Sequence, residues 1–272
     1  MSCIVIKFGS AARGDKNICS DQDFIGIHSE GYKKFQYLKN KFPNISFLSE
    51  STVKRMKNKG ALFLTHLDLE GIPIEGDKDM LTLIKGYKPA SFALKNSLSS
   101  TKHFFNEIQW FPNSTIGTLW LLDVLFVAIR NYIYCHNATQ NIYKFSYTEA
   151  LYSFGVNEQI MADFLKIRDG KYIFRSQQKE PSKLLQVDLQ NIENACRFIF
   201  GDSMKFKCGG KTNWEKRWKF DYWDERFIER AILNGESKNK VFCSLLKNHN
   251  YNRKLFKKAM KKIVFETINL GH

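Results

Sequence analysis

Phe8-Gly9-Ser10-Ala11-Ala12-Arg13-Gly14-Asp15, followed by Ser20-Asp21-Gln22-Asp23-Phe24, is the stretch on which the reading of this chain turns. The apolar run Cys3 to Phe8 reads as a short β-strand, and Gly9-Ser10 breaks it. After Ser10, ten residues intervene before two carboxylates stand one residue apart at the start of a second apolar run, Phe24 to Ile27. Residues i and i+2 of a strand point the same way, so Asp21 and Asp23 are expected to present both carboxylates to one point on one face. That pairing suits a hard divalent cation, since Mg2+ takes one or two protein carboxylates and fills its other sites with water and substrate phosphates. The Gly-Ser turn supplies the complementary half. Glycine lets a phosphate approach the backbone, a helix starting just after it aims N–H groups at the anion, and the Ser10 hydroxyl adds a donor. Together these parts predict a metal-bound nucleoside triphosphate held between a phosphate-binding turn and a carboxylate pair.

Gly-Ser, ten residues, then Asp-x-Asp, with Ala12-Arg13-Gly14-Asp15 and Ser20 between, resembles the nucleotidyltransferases of the DNA polymerase β superfamily, in particular the minimal nucleotidyltransferases. The resemblance covers residues 3–85. It implies transfer of a nucleoside monophosphate from an NTP to a hydroxyl, with release of pyrophosphate and with Mg2+ or Mn2+ as cofactor. By the same resemblance Asp21 and Asp23 are the catalytic metal ligands, while Gly9, Ser10, Arg13 and Ser20 bind the nucleotide. The family's third carboxylate, expected to deprotonate the attacking hydroxyl, is not evident. Its place falls near Ile45-Ser46-Phe47, where Ser46 stands, and Glu50, Asp68 and Glu70 are the nearby substitutes.

Outward from this motif the chain reads as α+β: a small mixed-sheet nucleotidyltransferase domain (1–100), an α-helical domain (101–200) and a basic helical C-terminal extension (201–272). Helix is expected over Gly31 to Phe42, a third strand over Asn44 to Leu48, and one helix over Ser51 to Leu69, stopped by Gly71. Ile72-Pro73-Ile74 is expected as an edge strand, because proline cannot donate to a central ladder. Further helices are expected over Thr115 to Tyr134, Ser146 to Phe154, Glu158 to Ile167 and Val187 to Phe200, with a turn at Asp169-Gly170-Lys171.

Composition narrows the partners. The 272 residues carry a formal charge of +15, and residues 201–272 hold +9 of it. A surface this positive favours polyanions. There, Lys211, Lys216, Arg217 and Lys219 stand among Trp214, Trp218 and Trp223, and Lys254 to Phe265 sets a lysine face against an apolar stripe. Aromatics beside cations suit unpaired bases, so RNA is the expected acceptor, bound through residues 201–272. No run approaches roughly 18 uninterrupted apolar residues, the first residues lack a secretory signal, and the six cysteines form no Cys-x-x-Cys pair. The expectation is a cytoplasmic protein with reduced thiols and no membrane partner.

Three smaller signals complete the reading. Arg130 and His136 match the Arg-x(4–6)-His pattern of HEPN-type ribonucleases, but six helical residues rotate the chain by about 600°, leaving the pair about 120° apart unless the helix ends near Tyr134 or a second protomer completes the site. Gly209-Gly210-Lys211-Thr212 lacks the first glycine of a P-loop, Lys205 standing there. His66 reads as a packing histidine. The function expected is NMP transfer to an RNA end such as that of tRNA, in a toxin or antiviral defence role implied by the resemblance. The alternatives are AMP transfer to a protein partner and a catalytically lapsed nucleotide- or RNA-binding subunit of a larger defence complex.

Overall fold

In the computed structural model, which describes residues 2–14, 22–176, 187–201, 204–212, 222–236, 258–259 and 261–262, the apolar run Cys3–Phe8 is a strand along its whole length. In chain order the elements are β1 (Cys3–Phe8), α1 (Ser10–Arg13), β2 (Asp23–His28), α2 (Phe35–Lys41), β3 (Ser46–Ser49), α3 (Glu50–Asn58), α4 (Leu62–Glu70), β4 (Ile72–Gly76) and a 3-10 helix (Lys78–Leu83). They continue with α5 (Ser91–Glu107), β5 (Trp110–Phe111), α6 (Thr115–Thr139), α7 (Tyr147–Phe154), α8 (Glu158–Ser176), α9 (Leu189–Phe200), β6 (Lys207–Cys208) and α10 (Tyr222–Leu233). The architecture is α+β with a small mixed sheet. The chain divides into two compact units, Met1–Ser100 with Asn131–Val156, and Thr101–Arg130 with Asn157–His272.

The first unit is built on a four-stranded sheet in the order β3-β2-β1-β4. β1 pairs antiparallel with β2 and β4, and β2 pairs parallel with β3. Both faces are covered, which is why the central strand has no polar alternation. On one face Ile4, Ile6, Ile25 and Ile27 pack with Val53 of α3, Leu64 and Leu67 of α4, and Met80 and Ile84. On the other, Cys3 and Val5 pack with Leu38 and Phe42 of the α2 region and with Ile45. Each fully buried isoleucine contributes roughly 1.5–3 kcal/mol, so the two faces fix the register in which Ile6 meets Ile25 and Phe8 meets Asp23. β4 is an edge strand whose Pro73 meets Ile6, beside a register shift between Val5 and Ile6.

Two expected helices are shortened for local reasons. α2 begins at Phe35 rather than Gly31, because Gly31 takes a left-handed φ of 76°. Ser51 to Leu69 is two helices, broken where Gly60 has φ 70° and where a Cβ would lie 2.1 Å from the Ala93 Cβ of α5. Ser49 caps α3, its Oγ accepting the Thr52 N–H at 3.2 Å.

In the second unit Leu121, Leu122, Val124, Leu125, Ala128 and Ile129 of α6 are fully buried. By length and composition α6 is apolar enough to cross a membrane, yet 67% of its apolar window is buried inside the protein, the pattern of a core helix. Asp169-Gly170-Lys171, expected as a turn, lies within α8. Gly170 is there for packing, since a Cβ would stand 2.2 Å from Leu122 Cδ1. Phe105 stacks on Phe200 of α9 at 3.9 Å and Phe104 on Trp223 at 4.1 Å. α10 is buried on most sides, including Phe227, Ile228 and Ala231, so residues 201–272 contribute a core helix to this unit rather than only an extension.

The same unit encloses charge. Asp123 of α6 is fully buried and accepts two hydrogen bonds from Arg175 at 3.1 Å each and another from Arg226, whose Nη1 also lies 2.7 Å from Glu229. Burial pushes the Asp123 carboxyl up, but Arg226 and Arg175 outweigh it and hold the group below the usual carboxylate range.

Candidate active site

β1 delivers the chain to Gly9, whose φ of 75° and ψ of −161° belong to a region open essentially to glycine alone. Its carbonyl accepts the N–H groups of Ala12 at 3.0 Å and Arg13 at 3.2 Å, which winds Ser10–Arg13 into one helical turn. Gly14 closes that turn at φ 82°, donating to the Ser10 carbonyl at 3.0 Å. Both glycines of the motif are therefore demanded by the backbone.

Asp23 is the first residue of β2, exposed, and paired in register with Phe8. Period-2 alternation sets it on the face of Ile25 and Ile27, at the sheet end where Gly9 turns away. The turn and the carboxylate lie against each other: a Cβ on Gly9 would stand 3.1 Å from Asp23 Oδ2. Gly9, Ser10 and Asp23 are thus brought together. Asp15, Ser20 and Asp21 lie outside the described residues.

Beside Asp23 on the same face is Ser46, through the parallel register that sets Ser46 against Ile25 and Leu48 against Ile27. The three substitute carboxylates are each engaged elsewhere. Glu50 pairs with Lys54 at 2.9 Å in the first turn of α3. Asp68 accepts the Gly86 N–H at 2.9 Å. Glu70, the last residue of α4, is the base of a clasp on the Gly9 turn: Arg13 Nη1 donates to its Oε2 at 2.7 Å, and His66 Nε2 lies 3.1 Å from the same oxygen. Burial raises the Glu70 carboxyl, but the close His66 ring, the Arg13 hydrogen bond and the Arg13 charge prevail, so it sits below its ordinary value.

His66 is packed as expected, stacked on Phe145 at 4.5 Å with the edges of Phe8 and Phe63 against it, yet it also faces Glu70. The i, i+4 spacing of His66 and Glu70 on a helix is a usable sequence signal for that pair. Nothing in the sequence spacing connects either to Arg13, 57 positions from Glu70.

The remaining expectations fall as follows. α6 runs unbroken to Thr139, so it does not end near Tyr134, the condition for Arg130 and His136 to converge within one helix. Arg130 lies over the Phe126 ring at 5.3 Å, and His136 packs with Tyr132 and Phe154. Gly210 lies on Trp110, and the Thr212 N–H donates to the Glu236 carboxylate at 3.0 and 3.1 Å, which makes this segment a structural turn. Trp223 is a partly buried ring stacked on Phe104. Trp214, Lys216, Arg217, Trp218, Lys219 and most of Lys254 to Phe265 lie outside the described residues, while Lys258, Lys261 and Lys262 are exposed.

No protein-family model and no curated protein sequence matches the chain.

Proposed function

We propose that the first unit is a metal-dependent nucleotidyltransferase that moves a nucleoside monophosphate from an NTP to a hydroxyl of RNA, in a toxin or antiviral defence role. The observation that carries this reading is the packing of the Gly9 turn on Asp23, so close that a Cβ on Gly9 would stand 3.1 Å from Asp23 Oδ2. A phosphate-binding turn and a metal-binding carboxylate need that proximity, because the cation must touch both the protein and the phosphate oxygens. The donor set fits Mg2+ or Mn2+: an exposed carboxylate at Asp23, with Asp21 as second ligand by the motif and no soft donor among the residues named.

Asp21 and Asp23 would hold the cation. When bound it would neutralise charge on the phosphates and orient them for in-line displacement. Gly9 and Ser10 would admit the triphosphate to the backbone of the turn, and Arg13 would face its charge. In the reaction the acceptor oxygen bonds to the α-phosphorus, the bond from that phosphorus to the bridging oxygen breaks, pyrophosphate leaves and the hydroxyl proton passes to solvent. Ser46, standing on the Asp23 face where the family carries an acid, cannot take the acceptor proton as a carboxylate does. That position favours a second reading, a lapsed domain that binds nucleotide without turnover.

RNA as acceptor is supported by the +9 charge of residues 201–272. The test is incubation with each α-labelled NTP, Mg2+ and total RNA. Label in RNase-sensitive material that disappears in Asp21→Ala/Asp23→Ala supports the reading, and label in protease-sensitive material instead identifies a protein acceptor. Nucleotide affinity without pyrophosphate release identifies the lapsed domain.

A further inference from the structure

The resemblance gives Arg13 a nucleotide-binding role and leaves Glu70 as a substitute acid, but it assigns nothing to the pairing of Glu70, His66 and Arg13. Arg13 ends the helical turn that follows Gly9, the residue that lies against Asp23. A charge-assisted bond of 2.7 Å holds the Arg13 side chain at Nη1. An arginine anchored in this way loses less rotamer freedom when it meets a phosphate than one drawn from solvent.

The anchor is itself fixed from three sides. His66 is pinned by the stacked Phe145 ring and by Phe8, the residue that precedes Gly9. Gly71, directly after Glu70, lies so close to β1 that a Cβ would stand 2.6 Å from Ile6 Cγ2. Glu70 is therefore tied to the strand whose exit is the phosphate turn, and its position relative to Gly9 is set by the sheet. A carboxylate already paired with an arginine is a poor proton acceptor, which argues against Glu70 as the missing base.

We propose that Glu70, backed by His66, is the positioning residue for Arg13, so that recognition of the β- and γ-phosphates by Arg13 depends on a carboxylate that never touches the nucleotide. The inference rests on the nucleotidyltransferase reading above and adds to it the means by which a triphosphate is told from a monophosphate.

The test titrates the full chain, with Mg2+ present, against ATP, GTP, CTP and UTP and the corresponding monophosphates. Wild type is expected to bind one triphosphate more tightly than its monophosphate. Arg13→Ala and Glu70→Gln should each weaken triphosphate binding about tenfold or more while leaving monophosphate affinity within about twofold, which also shows that the site is folded. Glu70→Asp should recover part of the loss, and Arg13→Ala/Glu70→Gln should bind no worse than Arg13→Ala alone. Should Glu70→Gln fail to fold, Glu70→Asp and His66→Gln decide, both being expected to lower the triphosphate-to-monophosphate ratio. An unchanged ratio in the Glu70 and His66 variants, or additive losses in the double variant, overturns the inference and leaves the nucleotidyltransferase reading intact. A wild-type chain that binds no nucleotide, or that binds both forms equally, overturns that reading and this inference with it.

Discussion

Replacing Gly9 by alanine tests the centre of the site, and Gly14→Ala is its control. At Gly9, φ 75° with ψ −161° lies where a side chain costs about 1–3 kcal/mol. The new methyl would also stand 3.1 Å from Asp23 Oδ2, so the carboxylate must give by a few tenths of an ångström. At Gly14, φ 82° with ψ 5° is left-handed helical, which costs a side chain about 1–2 kcal/mol, and among the described residues no atom lies within 4 Å of the new methyl. Both variants should therefore lose stability in thermal or urea unfolding, with each kcal/mol lowering a midpoint by about 2–8 °C. Only Gly9→Ala should displace Asp23, and label transfer from NTP should fall about tenfold or more in that variant alone, since small misplacements of catalytic groups cost rate steeply. Equal activity losses in the two variants, or a Gly9→Ala protein as stable and active as wild type, would refute the reasoning.

Other outcomes follow from the same geometry. Helix propensity alone makes Gly170→Ala stabilising by about 1 kcal/mol, but the approach to Leu122, whose Cβ lies 2.6 Å from the new methyl, makes it destabilising by about 1–3 kcal/mol in denaturant titration. Asp123→Asn removes the carboxylate shared by Arg226, which keeps Glu229, and the partly exposed Arg175, and should cost about 3 kcal/mol by the same measurement. Because the folded Asp123 carboxyl is depressed, its contribution is fully present above the unfolded value of about 3.9 and lost as pH falls through the lower folded value. Asp123→Asn should accordingly flatten the acid limb of the stability curve. RNA binding is best tested by reversing Lys258, Lys261 and Lys262 rather than by truncation, which would remove the core helix α10. The slope of log affinity against log salt should fall by about 0.7 for each phosphate of a single-stranded RNA that the variant no longer neutralises.

The strands that carry the site are legible in the sequence because their burial is written in consecutive residues. Cys3–Phe8 is apolar on both faces, and Phe24 to Ile27 follows an acidic pair whose second member begins β2. The edge position of Ile72–Gly76 follows from one proline. What escapes a linear reading depends on residues distant in sequence. Gly60 reads as an ordinary helical glycine until Ala93 is seen against it, and Gly170 as a turn until Leu122 is. Asp123 reads only as a break in an apolar run inside a helix, whereas its two arginines come from α8 and α10. In the site, the motif alone finds Gly9 and Asp23, but Glu70 reads only as a candidate acid at a helix end. The meeting of Arg13 with His66 and Glu70 gives it a different task.

The first unit is not contiguous: its chain leaves at Ser100 and returns for Asn131–Val156. The returning segment supplies Phe145, which stacks on His66, and Cys135 and Ala138, which pack with Leu94. During synthesis the sheet can pair as soon as Gly76 has emerged, yet the ring behind the Glu70 clasp arrives only about 70 residues later. At roughly 5–20 residues per second, that is a delay of several seconds. A nascent chain ending at residue 100 contains every residue of the four-stranded sheet but lacks the ring that stacks on His66. Only the ring stacked behind the clasp has to wait until the long helix α6 has been made.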